Sequence, residues 1–307
     1  MIEYLERLVE EEKYREALDV AERLIGQVED PREIVRIHAA RVVSHCLLGE
    51  EQAALASGEF AIGLAQNLED WDSYGTMTLY VGVAYARLGQ LPEVVSRMYE
   101  FLAKAHLYQT ASEYEYNAWY NLGYAQIALN EPNAATVSLS NALKAAERSG
   151  EHRYAHGVRQ SLVDAYLRAG LFKPIPRLLA ECAAYLRQHP ELSMHKMSWA
   201  NHIRLRCEYA LATGRLDRAR VLATRALQAV QGEPDHRFLF HVVLAKTASR
   251  MDLPEEAIGH GLAARTCAVV CRRPDWEKES TDLLIEMIHR YPDAISSVDQ
   301  YHTGTRS

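Results

Sequence analysis

Apolar residues recur at intervals of three and four along almost the whole chain, the spacing of one buried stripe on each of a series of helices. The stripes are interrupted by turn signals at Asp30-Pro31, Asp70, Thr110, Gly150-Glu151, Pro190, Glu233-Pro234-Asp235 and Pro274-Asp275. The steps are about 40 residues, a period that marks a stacked array of repeats. Each unit divides again. Residues 114–148 read as a first helix to about Leu129, a break at Asn130-Glu131, and a second helix opened by Pro132. A proline in the first turn gives up an N–H that had no partner there. Pro92 and Pro254 stand at nearly the same place in their units, and Pro174 is within two positions. Gly49, Gly89, Gly170 and Gly214 close the first helices of theirs, as helix C-termini prefer. The pattern predicts helix pairs over about 2–29, 32–69, 74–109, 114–149, 154–189, 196–232 and 236–272. A last helix over 275–291 is expected to cap the array, with Leu283, Leu284, Met287 and Ile288 inward, because a terminal repeat must cover its neighbour's apolar face. Residues 1–292 read as one solenoid and the polar residues 293–307 as a flexible tail.

The unit at 114–148 carries Trp119, Leu122, Gly123, Ala135 and Ala142. Gly82 and Tyr85 stand in the unit at 74–107, and Leu162 and Tyr166 in the unit at 154–188. The unit at 199–230 keeps Ala219 and Ala226; the one at 237–268 keeps Leu244, Ala245, Ala257 and Ala264. Upstream, residues 34–66 keep Ala54 and Ala61, and a shortened first pair keeps Ala17. In this common phase the chain resembles the tetratricopeptide repeat over residues 2 to 268. It departs from that pattern at Gln126, where the family has Tyr, and at Leu139, where it has an aromatic residue. The period departs too. The family norm is about 34 residues, and six more spread over two helices lengthen each by about 4.5 Å. Repeats of this length are similar to those in the sensor domains of bacterial peptide-responsive regulators. The resemblance implies an all-α, right-handed, TPR-like helical-repeat solenoid with a C-terminal capping helix. Small residues at mid-helix would let partner helices approach closely, and large ones would fill the holes between them.

Composition narrows the function. Hydrophobic residues make up 48% and charged residues 24%, ordinary for a globular chain and far from a disordered one. No apolar run reaches the length of a membrane span, and the N-terminal MIEYLERLVEEEKY is too acidic for a targeting peptide, so a cytoplasmic location is expected. Residues 1–60 carry 14 acidic and 7 basic side chains, residues 151–307 carry 18 and 22. Neither end holds a Lys/Arg-rich run, which argues against direct nucleic-acid binding. The five cysteines, Cys46, Cys182, Cys207, Cys267 and Cys271, read as reduced thiols. No phosphate loop, dinucleotide fingerprint, HExxH or GxSxG motif is present. The thirteen histidines are scattered; His152/His156 and His38/His45 share helix faces without a third ligand at matching spacing. No enzyme, metal or cofactor is expected.

What remains is a binding surface. The resemblance implies that first helices line a concave wall, with ligand-facing side chains three before and one after the central small residue. Those positions are Tyr120 and Tyr124 about Gly123, then Gln160 and Asp164, Arg204 and Glu208, and Val242 and Lys246. Upstream they are Leu79 and Val83, then Ala39 and Val43; one turn earlier on the same face stand Arg36, Thr76, Asn117 and Asn201. Asn117, Gln160 and Asn201 can pair with a peptide's backbone amides. Tyr120 and Tyr124 can hold an apolar anchor, and Arg204 or Lys246 a carboxylate. In water, Arg204, Glu208 and Asp164 could instead satisfy one another. The chain therefore reads as a non-catalytic peptide- or protein-binding repeat protein, a bacterial regulatory sensor in type. The alternative is a constitutive scaffold or assembly adaptor, with homo-oligomerisation through its acidic N-terminal and basic C-terminal ends as a further form.

Overall fold

The computed structural model describes residues 1–107, 111–190, 195–230 and 232–292, without the side chains of 111–113 and 195–197. Thr110 and the tail 293–307, both singled out above, lie outside the described residues. The described residues form fifteen α-helices and no strand. In chain order they are α1 Ile2–Glu10, α2 Tyr14–Leu24, α3 Pro31–Leu47, α4 Glu51–Asn67, α5 Trp71–Arg87, α6 Leu91–Ala103, α7 Ala111–Ala128 and α8 Pro132–Arg148. There follow α9 His152–Arg168, α10 Ile175–Gln188, α11 His195–Ala212, α12 Leu216–Ala229, α13 Pro234–Arg250, α14 Pro254–Cys271 and α15 Pro274–Arg290. The chain divides into two compact units, Met1–Ala165 and the part from Tyr166 onward.

Local chemistry sets the helix ends. Asp30 caps α3 by accepting the Arg32 N–H, Asp70 caps α5 by accepting the Ser73 N–H, and Pro31, Pro132, Pro234, Pro254 and Pro274 each open a helix. Every first helix ends on a residue in the left-handed region: Glu12, Gly49, Gly89, Asn130, Gly170, Gly214 and Asp252. Four of the seven are glycine, which enters that region without a Cβ penalty, and Asn and Asp tolerate it better than most residues.

The repeat register is visible in burial. The central positions Val42, Gly82, Gly123, Val163, Cys207 and Ala245 are all buried. The first unit is built on a cluster that includes Tyr74, Met77, Val81, Met98, Phe101, Ala118 and Leu122; a smaller cluster closes α1 and α2 onto Ile37 and Ala40 of α3. In the second unit Phe238, Val242, Ala257, Ala264 and Met287 join α13, α14 and α15, and the Trp276 ring stacks on Phe238 at 4.3 Å. The cap differs from expectation in one residue. Leu283, Leu284 and Met287 are buried, whereas Ile288 is 40% exposed. Gly261 of α14 explains the choice: a Cβ there would fall 2.7 Å from Leu284 Cδ2, so the close approach runs along the Leu283–Leu284–Met287 stripe. Ile288 lies one position beyond it.

The fully buried Tyr74 shows how polar groups are satisfied inside the array. Its hydroxyl donates to Glu100 Oε1 at 2.7 Å and accepts from Lys104 Nζ at 3.0 Å. The Lys104 ammonium lies 4.4 Å from the Tyr74 ring centre and also reaches Gln66 Oε1 at 3.3 Å. Burial first, and Glu100 second, hold the phenol well above its ordinary pKa. Tyr74→Phe removes the hydroxyl and leaves Glu100 and Lys104 one partner short. A loss of about 1–2 kcal/mol is expected, read from denaturant unfolding; an unchanged midpoint would mean solvent already satisfies both partners.

Candidate functional site

Within the first unit, the first helices pack on one another: α1 on α3, α3 on α5, and α5 on α7. The second helices α2, α4 and α6 make no comparable contact with each other among the described residues. Helices packed this way put the first-helix faces on the inner side of the unit.

The inner face of the first unit is rich in tyrosine. Thr76 Oγ1 of α5 donates to the Tyr114 hydroxyl of α7 at 3.2 Å. Tyr80 of α5 is half-buried, and its phenol is pushed up to about 12 by burial, with smaller contributions from Cys46, Tyr114, Tyr14 and Tyr154. The Tyr120 hydroxyl of α7 accepts from Ser161 of α9 at 3.4 Å, tying two first helices together. Tyr124 is 55% exposed. Asn117 is half-buried. Tyr116 is only 5% exposed, with its ring 4.7 Å from that of Tyr154. Trp119 packs on the main cluster and stays half-buried.

Other predicted positions have settled into the fold. The Arg36 guanidinium of α3 makes two bonds to the Glu6 carboxylate of α1, at 2.7 and 2.5 Å, which hold Arg36 above its ordinary pKa. Gln160 is 7% exposed, with Nε2 3.3 Å from His156 Nε2 one turn earlier on α9. Asp164 is half-buried. Leu79 and Val43 are buried and add to the core rather than the wall; Ala39 and Val83 are half-buried.

In the second unit, Asn201, Arg204 and Glu208 form one chain along α11. Arg204 Nε donates to Asn201 Oδ1 at 3.0 Å and Arg204 Nη1 to Glu208 Oε1 at 2.7 Å. The Arg204–Glu208 part of this pairing lies within one helix, at i,i+4 spacing, where contact costs no backbone rearrangement. Lys246 reaches Glu279 Oε1 of α15 at 3.5 Å. Val242 is buried. Sequence reasoning missed Tyr80, Tyr154 and Ser161. A signal existed: Tyr114 and Tyr154 occupy the same place, near the start of successive first helices.

The described residues contain no group of three or more His, Cys, Asp or Glu side chains able to hold a metal ion, and no helix long and apolar enough to cross a membrane. Cys46, Cys182, Cys207 and Cys267 are buried; Cys271 donates to Asp235 Oδ1 at 2.7 Å. Burial drives the Cys207 thiol up to about 12, which makes it inert as a nucleophile.

No family profile matches the chain, and no curated protein matches it significantly in sequence. Solved structures do. The apo form of the quorum sensor NprR from B. thuringiensis aligns with 94% of this chain and 80% of its own, at 13% identity and a TM-score of 0.65. NprR in complex with its cognate peptide NprX aligns with 100% of this chain and 88% of its own, at 10% identity and a TM-score of 0.67. The fold is thus an all-α helical repeat of tetratricopeptide type, similar to that of a peptide-responsive sensor.

Proposed function

We propose that the chain is a non-catalytic peptide-binding regulatory protein that holds an extended peptide against the inner face of its first unit. The observation that carries this reading is the row of partly exposed tyrosine and amide groups on α5 and α7: Tyr80, Asn117, Tyr120 and Tyr124. Aromatic rings bury apolar side chains while their hydroxyls answer backbone groups, and an asparagine amide matches a peptide bond in both directions. The likeness to peptide-bound NprR supports the same use of the fold. Arg36 and Gln160 serve the site by holding its framework, since Glu6 and His156 occupy them. In the second unit, taken by itself, Asn201, Arg204, Glu208 and Lys246 form the polar part of the proposed binding face. Arg204 is the group suited to a carboxylate.

The test is a peptide display screen on the full chain, followed by titration of the best synthetic binder. Asn117→Ala and Tyr120→Ala should each weaken it by about tenfold, the worth of one or two hydrogen bonds in a desolvated contact. Both should leave the melting temperature within about 4 °C, as surface changes do. Unchanged affinity in both variants would remove the inner face as the site. A large fall in melting temperature would assign both residues to the core.

A further inference from the structure

A second stripe of α7, about 100° around the helix from Tyr120, floors a separate open cleft. Glu115 and Trp119 of α7 and Asn141, Lys144, Glu147 and Arg148 of α8 line about 620 Å³, within the range of ligand pockets. Trp119 is half-buried and packs on the cluster that includes Phe101.

The charges around this cleft are unequally committed. Glu115 is held by Arg148 at 2.9 Å, and Glu147 by Arg159 at 2.6 Å. Lys144 is exposed and makes no ion pair or hydrogen bond among the described residues; neither does the Asn141 amide one turn before it. One cation, one amide and one aromatic surface are therefore left to answer a ligand. We propose that the cleft is a second recognition site, for a peptide segment of a partner protein that carries a carboxylate beside an apolar side chain. The carboxylate goes to the Lys144 ammonium, the apolar group covers the Trp119 indole, and the Asn141 amide takes a backbone N–H or C=O. A cationic ligand finds both lining carboxylates already neutralised by arginine.

The test uses the full chain labelled with 5-fluorotryptophan, whose four tryptophans give separable fluorine resonances; Trp119→Phe assigns the relevant one. The probe is acetyl-Leu-Asp-Phe-amide, with acetyl-Leu-Asn-Phe-amide as its uncharged twin. The Trp119 resonance should shift saturably with the acidic peptide, and about fivefold more weakly with the neutral one, the upper range for an exposed charge pair. Lys144→Gln should erase that preference without altering the melting temperature, and Asn141→Ala should weaken both peptides. Tyr120→Ala, on the inner face, should change nothing. A Trp119 signal unmoved by the acidic peptide, equal affinity for the two peptides, a preference that survives Lys144→Gln, or loss of binding in Tyr120→Ala would each overturn the proposal.

Discussion

Gly123→Leu is expected to unfold much of the first unit. An ideal Cβ at Gly123 would sit 2.6 Å from Leu139 Cγ, 2.9 Å from its Cδ2 and 3.4 Å from its backbone nitrogen. The first two atoms belong to a fully buried side chain branched at the contact itself, and the third is helix backbone. None can swing aside as the flexible end of a methionine can, which is the case at Gly82, where the added atom would meet only Met98 Cε and Sδ. A single methyl in place of the Gly123 hydrogen would gain about 1 kcal/mol of helix propensity and lose about 1–3 kcal/mol to overpacking. Three further carbons raise the cost to 4 kcal/mol or more, roughly the range in which single substitutions become exceptional. Gly157 is the internal control. It too lies within a helix, but a Cβ there meets nothing within 4 Å, so Gly157→Ala should stabilise by about 0.5–1 kcal/mol. Denaturant unfolding of the pair, with hydrogen exchange over α7 and α8, checks both signs. A Gly123→Leu protein as stable as the parent would mean that the α7–α8 approach is not the tight contact of the repeat.

That contrast shows what the sequence carried and what it did not. Helix number, pairing and the small central residues were legible because each depends on local chemistry repeated in phase: Pro at a first turn, Gly after a last one, Gly or Ala at mid-helix. Turns without glycine were harder to read. Glu12 and Glu69 adopt the same left-handed geometry as Gly49 and Gly89, yet glutamate has no intrinsic preference for it; the packed helices on either side impose it. The side-chain partners of the expected wall residues were not legible. Arg36 is taken by Glu6, thirty positions earlier, and Gln160 turns inward to His156. Such choices depend on the rotation of one helix pair against the next, which spacing within a single helix does not encode. The half-buried Tyr80 and the buried Leu79 are adjacent in sequence, and a rotation of a fraction of a turn exchanges their exposure.

Acidification from pH 7.5 to 5 is expected to destabilise the second unit through one buried pair. His241 of α13 is 5% exposed, and its Nδ1 lies 3.1 Å from Nδ1 of His260 on α14, one nitrogen donating and the other accepting. In the neutral pair one Nδ1–H already fills the bridge, so a further proton would have to sit on an outer nitrogen and place a positive charge in the interior, where His241 Nε2 is buried without a partner. Burial, then His260, then Arg237 of α13 push His241 down to about 4. His260 is also lowered, by burial and by Arg220 of α12, against the opposing pull of Glu256 on α14. Glu256 is itself clamped by both of its bonds to Arg220, at 2.8 Å each, so it gives little relief. An unfolded histidine titrates near 6.5. Between that value and about 4 the unfolded chain binds a proton that the folded one refuses, so stability is complete above pH 6.5 and falls with pH below it. By pH 5 the loss from His241 amounts to about 2 kcal/mol, at about 1.4 kcal/mol for each pH step. Carboxylates such as Glu100, whose pKa is lowered by Tyr74, Arg97 and Lys104 against burial, lose their contribution only in more acid solution, which separates the two effects. Urea unfolding of the second unit at pH 7.5 and 5, with hydrogen exchange over α13 and α14, measures the difference. In His241→Phe, which keeps the volume and removes the titrating ring, the loss should shrink by most of that amount. An equal pH dependence in parent and variant would mean that the folded state accepts the proton, and that the α13–α14 contact opens to water at no measurable cost.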